Sequence, residues 1–378
     1  MERRKILFLS SWFPSQEEPT NGNFVQRHAE AVACLHQVEV LYAVGRAQQA
    51  TTYTIQEETT NGVRTVLVYY QKSKYAWLNP LRRFRAYLKG LKHISRPDLI
   101  HAHIMQKPML FAVYLKKRWR VPMLLTEHWS GFLKENQVQL SLFQRWTAQI
   151  IAQHAALISP VSHRLKRDLE KLLPPKKMQV VPNVVDTQLF CPSERNNAQP
   201  FIFLHISNLI PLKNTAGIIN AAHKLHQDYP NFELHIGGDG DLAPIQQRIE
   251  EWDAQHYIKT FGTLSHTEVA ERMKNADAFI LFSDYENLPC VLIEALSCGL
   301  KIIATDVGGV SEIINHPDWG VLVPPRDEDA LRQAMQDLLP TPNSLSDKKN
   351  KHQNAEARYS QQAIAQQFHQ LYQTLLHR

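Results

Sequence analysis

The stretch Ala278-Phe279-Ile280-Leu281-Phe282-Ser283-Asp284-Tyr285-Glu286-Asn287-Leu288-Pro289-Cys290-Val291-Leu292-Ile293-Glu294 says more about this 378-residue chain than any other. Its opening residues form a continuous apolar run, the pattern of a buried strand. Pro289 suits a first helical turn and Gly299 suits a helix stop, so a strand, a loop and a helix follow one another. Glu286 falls on the loop at the helix mouth. Glu294 falls about one turn inside, and helical side chains lean back toward the N-terminus. Both carboxylates therefore address the space at which the free N–H groups and the positive end of the helix dipole point. Such a place suits a phosphate whose attached sugars have hydroxyls needing acceptors. Paired glutamates at a helix start also occur as plain solvated groups, so the reading depends on the rest of the chain.

The same alternation of apolar runs and helix-like segments covers almost the whole length. In the first half the expected strands are Lys5–Ser10, Val38–Val44, Thr65–Tyr70, Asp98–Ile104, Met123–Glu127 and Ala156–Val161. In the second half they are Phe201–Ser207, Phe232–Ile236, Ile258–Phe261, Ala278–Ser283, Lys301–Thr305 and Val321–Val323. Such alternation implies parallel sheets covered by helices, and two sets imply two doubly wound α/β domains. The polar, proline-flanked stretch from Cys191 to Pro200 reads as a linker, and Pro340 to Glu356 separates the last domain from a terminal helix, Gln361 to Leu376. The expected domains are 1–192 with 361–378, and 193–360. Ligands of doubly wound sheets bind at the carboxyl ends of strands. Gly22, Asn23, His101, His103, His128, Asn208, Lys213, the Gly237-Gly238-Asp239-Gly240 run and Glu286 all stand there, facing a cleft expected between the domains.

Composition excludes several classes. The apolar and charged fractions are those of a soluble globular protein. Cys34, Cys191, Cys290 and Cys298 lack metal-type spacing, which points to a reducing cytoplasm. The apolar run near the N-terminus is too short to span a bilayer, and no small-residue cleavage site follows it. The net charge of +6 is unevenly placed. No acidic residue lies between Thr59 and Pro97, while Arg82, Arg83, Arg85 and Lys89 share a helix-like segment whose Leu81, Phe84, Leu88 and Leu91 fall on one face. With Tyr75 and Trp77 just before it, this segment reads either as a docking surface for anionic lipid or as a solvated helix packed on its own domain. No nucleic-acid-binding module accompanies it. His101 and His103 point to one side of a strand, but the sequence places no third metal ligand beside them, which favours a cleft-lining or structural role. Ala243 stands where a dinucleotide fingerprint needs its third glycine, and neither a phosphate-binding P-loop nor a nucleophile elbow is present.

Taken in order, several motifs resemble the retaining glycosyltransferases of the GT-B fold, in particular family 4. They are Trp12-Phe13-Pro14 with Gly22-Asn23-Phe24-Val25, His101-Ala102-His103, Thr126-Glu127-His128, Val181-Pro182-Asn183-Val184-Val185-Asp186, Pro211-Leu212-Lys213-Asn214, Phe261-Gly262, the two-glutamate motif, and Ala304-Thr305-Asp306-Val307-Gly308-Gly309. The resemblance implies two Rossmann-like domains, the terminal helix crossing back to the first, and transfer of a hexose from a nucleoside-diphosphate sugar to a saccharide or glycolipid acceptor. It implies no essential metal and no cofactor. By the same resemblance Glu294 binds the ribose, Glu286 contacts the transferred sugar, Lys213 neutralises the diphosphate, and the Gly22 loop approaches the diphosphate with its backbone. His128 lies near the anomeric centre. Asn208, Phe261, Asn287, Leu288 and Cys290 complete the implied donor site, with Asn23, His101 and His103 on the acceptor side.

The chain departs from the family pattern in three places. Asn208 stands where an arginine is usual, which removes one diphosphate cation. Asn287-Leu288-Pro289 replaces a glycine-aromatic-glycine, and Pro289 has no N–H to offer. Asn183-Val184-Val185-Asp186 has valine for glycine. The expectation is a cytoplasmic hexosyltransferase, peripheral on the inner membrane face. A nucleotide-sugar epimerase of the same fold and a non-catalytic donor- or membrane-binding subunit are the alternatives.

Overall fold

The computed structural model describes residues 3–48, 51–194, 200–340 and 343–377. The chain divides into two compact units, Met1–Val184 with Gln361–Arg378, and Val185–Ser360.

The first unit is built on a seven-stranded sheet, β1 (Lys5–Ser10), β2 (Gln37–Arg46), β3 (Tyr53–Thr60), β4 (Val63–Gln71), β5 (Leu99–His103), β6 (Met123–Glu127) and β7 (Leu157–Pro160), in the order β3-β4-β2-β1-β5-β6-β7. Every pairing is parallel except β3 with β4. The sequence reading had no β3. Its residues alternate with solvent at the sheet edge, so no apolar run marks it. Asn61 and Gly62, both in the left-handed region with φ of 50° and 77°, make the tight turn that pairs it with β4. The terminal helix Gln361–Leu376 belongs to this unit. Its Ile364, Phe368, Leu371 and Tyr372 enter one core with Val25, Ala29 and Val32 of the helix Asn23–Ala33.

The second unit carries a six-stranded parallel sheet, β8 (Phe201–Ser207), β9 (Phe232–Gly238), β10 (Ile258–Phe261), β11 (Ala278–Leu281), β12 (Lys301–Thr305) and β13 (Gly320–Val323), ordered β10-β9-β8-β11-β12-β13. The polar stretch expected to part it from the terminal helix is instead mostly a helix, Leu345–Tyr359, opened by a Ser344–Asp347 capping box. Residues 341 and 342 of that stretch, and residues 195–199 of the expected linker, lie outside the described residues. The units divide ahead of that linker. Phe190 is buried in the second unit, where the Ser297 hydroxyl donates to its carbonyl at 2.6 Å.

In both sheets the strand order reverses beside the first strand, between β1 and β5 in one and between β8 and β11 in the other. Ligands of open α/β sheets bind outside such switch points. The loop after β1 carries Gly22, and His103 closes β5. The loops after β8 and β11 carry Lys213 and Glu286.

Candidate active site

At the switch point of the second sheet, two loops are tied to each other. The Asp284 N–H donates to the Leu212 carbonyl at 2.9 Å. Lys213, at the end of a short 3-10 turn Pro211–Lys213, donates from Nζ to Glu286 Oε1 at 2.5 Å. The Ser283 hydroxyl reaches the same carboxylate oxygen at 2.8 Å, and Thr305 holds the Ser283 carbonyl at 2.6 Å. Gly308 makes this arrangement sterically feasible. Its φ is +56°, and a Cβ there would stand 1.7 Å from the Glu286 carbonyl oxygen. Gly309 then donates its N–H to the Asn287 carbonyl at 2.7 Å. Pro289 is the N-cap residue of the helix Cys290–Ser297, as its fixed φ allows. Glu294, one turn in, is buried, with His266 Nε2 3.3 Å from Oε1. Asn287 and Leu288 are buried and Cys290 is half-buried.

Neighbouring residues brace this pair of loops from below. His205 of β8 is fully buried between the Ile280 carbonyl (2.9 Å) and the Ser207 hydroxyl (2.8 Å), and burial lowers its pKa to about 4. Ser207 Oγ in turn accepts the Leu209 N–H at 3.1 Å. The Gly237-Gly238-Asp239-Gly240 run presses on the same loop. A Cβ on Gly238 would stand 1.9 Å from the Ser207 oxygen, and one on Gly240 would stand 2.4 Å from that of Asn208. These glycines permit close backbone packing. Asn208 itself is exposed. Phe261, at the end of β10, is buried under the Arg272 guanidinium, 4.0 Å from its ring centroid. Arg326 places a cation on the Glu286 loop through a bidentate pair with Asp284, at 3.0 and 2.7 Å.

The switch point of the first sheet gathers histidines. Gly22 caps the helix Asn23–Ala33 with φ 76°, and a Cβ there would fall 2.5 Å from the Trp12 carbonyl oxygen, so only glycine fits. His103 Nδ1 lies 3.2 Å from His128 Nε2. His28, on the helix, packs its ring 5.1 Å from that of His128 and donates from Nε2 to the Pro182 carbonyl at 2.9 Å. The Pro182 carbonyl of the Val181-Pro182-Asn183 motif therefore orients His28. His101 is fully buried, with Tyr372 and Thr126 each 2.7 Å from a ring nitrogen. Of the two roles the sequence left open for it, the structure gives His101 the structural one. Burial, reinforced by the neighbouring imidazoles, holds His101, His103 and His128 well below the usual imidazole range, and lowers His28 to about 4. Beside them Glu127 is fully buried. Burial pushes its carboxyl up to about 7, although it accepts N–H bonds from Met105, His128 and Trp129.

Residues 186–359 match the family described as Glycosyl transferases group 1, and residues 22–189 match Glycosyltransferase Family 4. The chain belongs to the group 1, family 4 glycosyltransferases. Glycogen synthase of Mycobacterium tuberculosis (strain CDC 1551 / Oshkosh) is 25% identical to it over 371 residues, spanning 89% of this chain and 86% of that protein. Among solved structures, sucrose-phosphate synthase from Thermosynechococcus elongatus superposes with a TM-score of 0.82 at 21% identity, over 99% of this chain and 100% of that one. Anabaena HepE in complex with UDP-glucose gives 0.74 at 19% identity, over 99% and 100%. Likeness at these identities establishes the GT-B fold.

The basic helix of this glycosyltransferase, Asn79–Gly90, buries only Ala86, Tyr87 and Gly90. Its apolar stripe packs only in part on its own unit, where Phe84 stands edge-on to Phe111 at 5.3 Å and to Tyr114 at 5.6 Å. Leu81, Phe84 and Leu88 are exposed, with Tyr75 and Trp77 beside them, Trp77 at 76%. Arg82 and Arg83 are half-buried and engaged, donating to the Gln71 carbonyl (2.7 Å) and the Tyr70 hydroxyl (3.1 Å). Arg85 and Lys89 are the exposed cations of the expected set. Sequence reasoning missed a second exposed patch, Leu142, Phe143 and Trp146, at the start of the helix Leu142–His154. A groove of about 530 Å³ joins the two regions, lined among others by Arg83, Phe84, Lys107, Phe111 and Phe143. No helix among the described residues is long and apolar enough to cross a membrane. The sequence reading also missed Ser283, His266, Arg326 and His28. His266, Arg326 and His28 lie near their partners only through the fold. Only Ser283, three residues before Glu286, carried a local signal.

Proposed function

We propose that this glycosyltransferase moves a hexose from a nucleoside-diphosphate sugar to an acceptor hydroxyl with retention of anomeric configuration. The observation that carries the reading is the Lys213–Glu286 ion pair at the mouth of the helix Cys290–Ser297, with the buried Glu294 one turn behind it. A cation beside a helix N-terminus suits a diphosphate. A buried carboxylate suits two adjacent ribose hydroxyls. The UDP-glucose carried by Anabaena HepE, which shares the fold, supports the same donor class. Lys213 releases Glu286 to the sugar and stabilises the charge that builds on the leaving diphosphate. Glu286, anchored by Ser283, positions the sugar and balances charge at its anomeric carbon. His128, neutral, lies on the acceptor side. The positive charge comes from Lys213 and the helix, and the reaction needs no metal or cofactor. Gly22 and Asn23 are the remaining substrate residues of the first unit in this reading, whereas His103 is fully buried.

The acceptor in this reading is a lipid-linked saccharide, met at the cytoplasmic face of a membrane. The exposed Trp77, Leu142 and Trp146 with Arg85 and Lys89 support it, because such aromatics and cations together suit an anionic lipid surface. Assays with UDP-, GDP-, ADP- and dTDP-sugars identify the donor, and proton NMR of the product gives the anomeric configuration. Lys213→Ala is expected to lower kcat by roughly 100- to 1,000-fold, the loss typical of removing one preorganised charge-stabilising donor. Transfer at an unchanged rate in Lys213→Ala would remove the basis of the assignment.

A further inference from the structure

His28 and His103 of the first unit have chemistry that hexose transfer does not use. His28, His103 and His128 come from three separate elements, the helix Asn23–Ala33, the end of β5 and the loop after β6. One ring nitrogen from each lies within 4.8 Å of the other two. The ring centroids stand 5.1, 5.5 and 6.0 Å apart. Imidazoles bound through metal–nitrogen bonds of about 2.0–2.1 Å in a tetrahedral site place their centroids about 5 Å apart. Closing the triad on an ion therefore asks only for a modest inward movement of the rings.

The hydrogen bonding is consistent with this. His28 gives its Nε2–H to the Pro182 carbonyl, which leaves Nδ1 as a bare lone pair. A ligating histidine commonly donates its other N–H to a backbone carbonyl in this manner. His28 Nδ1 and His103 Nε2 are buried and have no hydrogen-bond partner. Buried polar atoms are normally paired, so two bare nitrogens in one cluster need a reason. His101, next to them, has both nitrogens hydrogen-bonded, to Tyr372 and Thr126, and is not part of the triad.

We propose that His28, His103 and His128 bind one divalent transition-metal ion of the zinc class, leaving a fourth position open. Imidazole ligands suit zinc, cobalt, nickel and copper rather than magnesium or calcium. Binding stands independently of the transfer reaction. Its consequence rests on that reading, because an ion on His128 withholds that imidazole from the acceptor side and makes zinc an inhibitor.

Cobalt provides the test, as its visible absorption reports nitrogen ligation without any turnover. Chelator-treated protein titrated with Co²⁺ should develop visible bands that saturate at one ion per chain. His28→Gln keeps a donor for Pro182 and removes the bare ring nitrogen. It should lose these bands and bind at least about tenfold more weakly, the lower bound set by losses seen on changing groups outside the ligand set. His93→Gln, at an exposed histidine paired with Glu57, should leave the bands intact. Should His28→Gln fail to fold by circular dichroism, His103→Gln takes its place. Bands that persist in the folded variant, or native protein that shows only the weak spectrum of hydrated cobalt, would overturn the proposal. In a transfer assay zinc should inhibit native protein, and His28→Gln only at about tenfold higher concentration.

Discussion

At the scale of single residues, Gly308 shows how backbone geometry sets up the chemistry. Its positive φ and the 1.7 Å approach to the Glu286 oxygen leave no space for a methyl group. Gly308→Ala must push the Glu286–Asn287 backbone aside, strain its own backbone by about 1 kcal/mol, and separate Glu286 from Lys213 and Ser283. The variant is expected to lose hexose transfer by at least about tenfold, since a misplacement of about 1 Å costs that much or more, and to melt several degrees lower. Gly262 is the control for stability. Nothing lies within 4 Å of a Cβ built there, so Gly262→Ala should melt as native protein does, a surface change of this kind lying within about 0.5 kcal/mol. Equal melting temperatures for all three proteins would show that the Gly308 contact is relaxed at no cost. Lys213 and Glu286 were legible from the sequence because they follow strands, where ligands of such sheets bind, and Glu294 because it lies one turn inside the helix mouth. Their pairing was not legible. Lys213 and Glu286 lie on different βα loops, and only the order β8-β11 in the sheet makes those loops neighbours.

At the scale of elements, most strands that could be read are largely buried, although the partly exposed edge strands β10 and β13 were read as well. β11 is buried at every position and appears as an apolar run, and β5 and β6, equally buried, begin on apolar residues and end on polar ones. β3 lies at the sheet edge, so its Tyr53–Thr60 looks polar; the Asn61-Gly62 turn was the available sign. The helix Leu345–Tyr359 was hidden for the same reason, and Ser344 with Asp347 was its sign. The basic helix Asn79–Gly90 was legible as a helix, but which cations it leaves free was not. Arg82 and Arg83 serve the fold through Gln71 and Tyr70. Reversing them tests folding as much as lipid binding. Arg85 and Lys89 are exposed, and each cation near an anionic surface is worth about 1 kcal/mol. Arg85→Glu with Lys89→Glu is therefore expected to weaken sedimentation with phosphatidylserine vesicles by at least about tenfold, leaving the melting temperature unchanged. Trp77→Glu with Trp146→Glu should weaken it also on neutral vesicles, where charge plays no part. Binding that survives both double variants would assign this face to something other than lipid.

At the scale of the whole molecule, each unit contains a buried histidine that opposes acid. His28 in the first unit and His205 in the second are fully buried, and burial lowers both to about 4. An unfolded histidine titrates near 6.5. Between those values the unfolded chain binds protons that the native chain refuses. Stability is therefore full above about pH 6.5 and falls until the native pKa is passed. A gap of this size amounts to on the order of 3 kcal/mol for each histidine. Glu127 works the other way in the first unit. Its native pKa of about 7 lies above that of a free carboxylate, so its cost is relieved as pH falls. His205 is thus the cleaner probe, and it is also the residue under the Lys213 loop, joined to it through Ser207 and Leu209. His205→Asn keeps a donor for the Ile280 carbonyl and removes the titration. The melting temperature of native protein should drop between pH 7 and pH 4.5, and that of His205→Asn should drop less. An equal drop in the two proteins would place the acid sensitivity elsewhere and leave His205 as a packing residue alone.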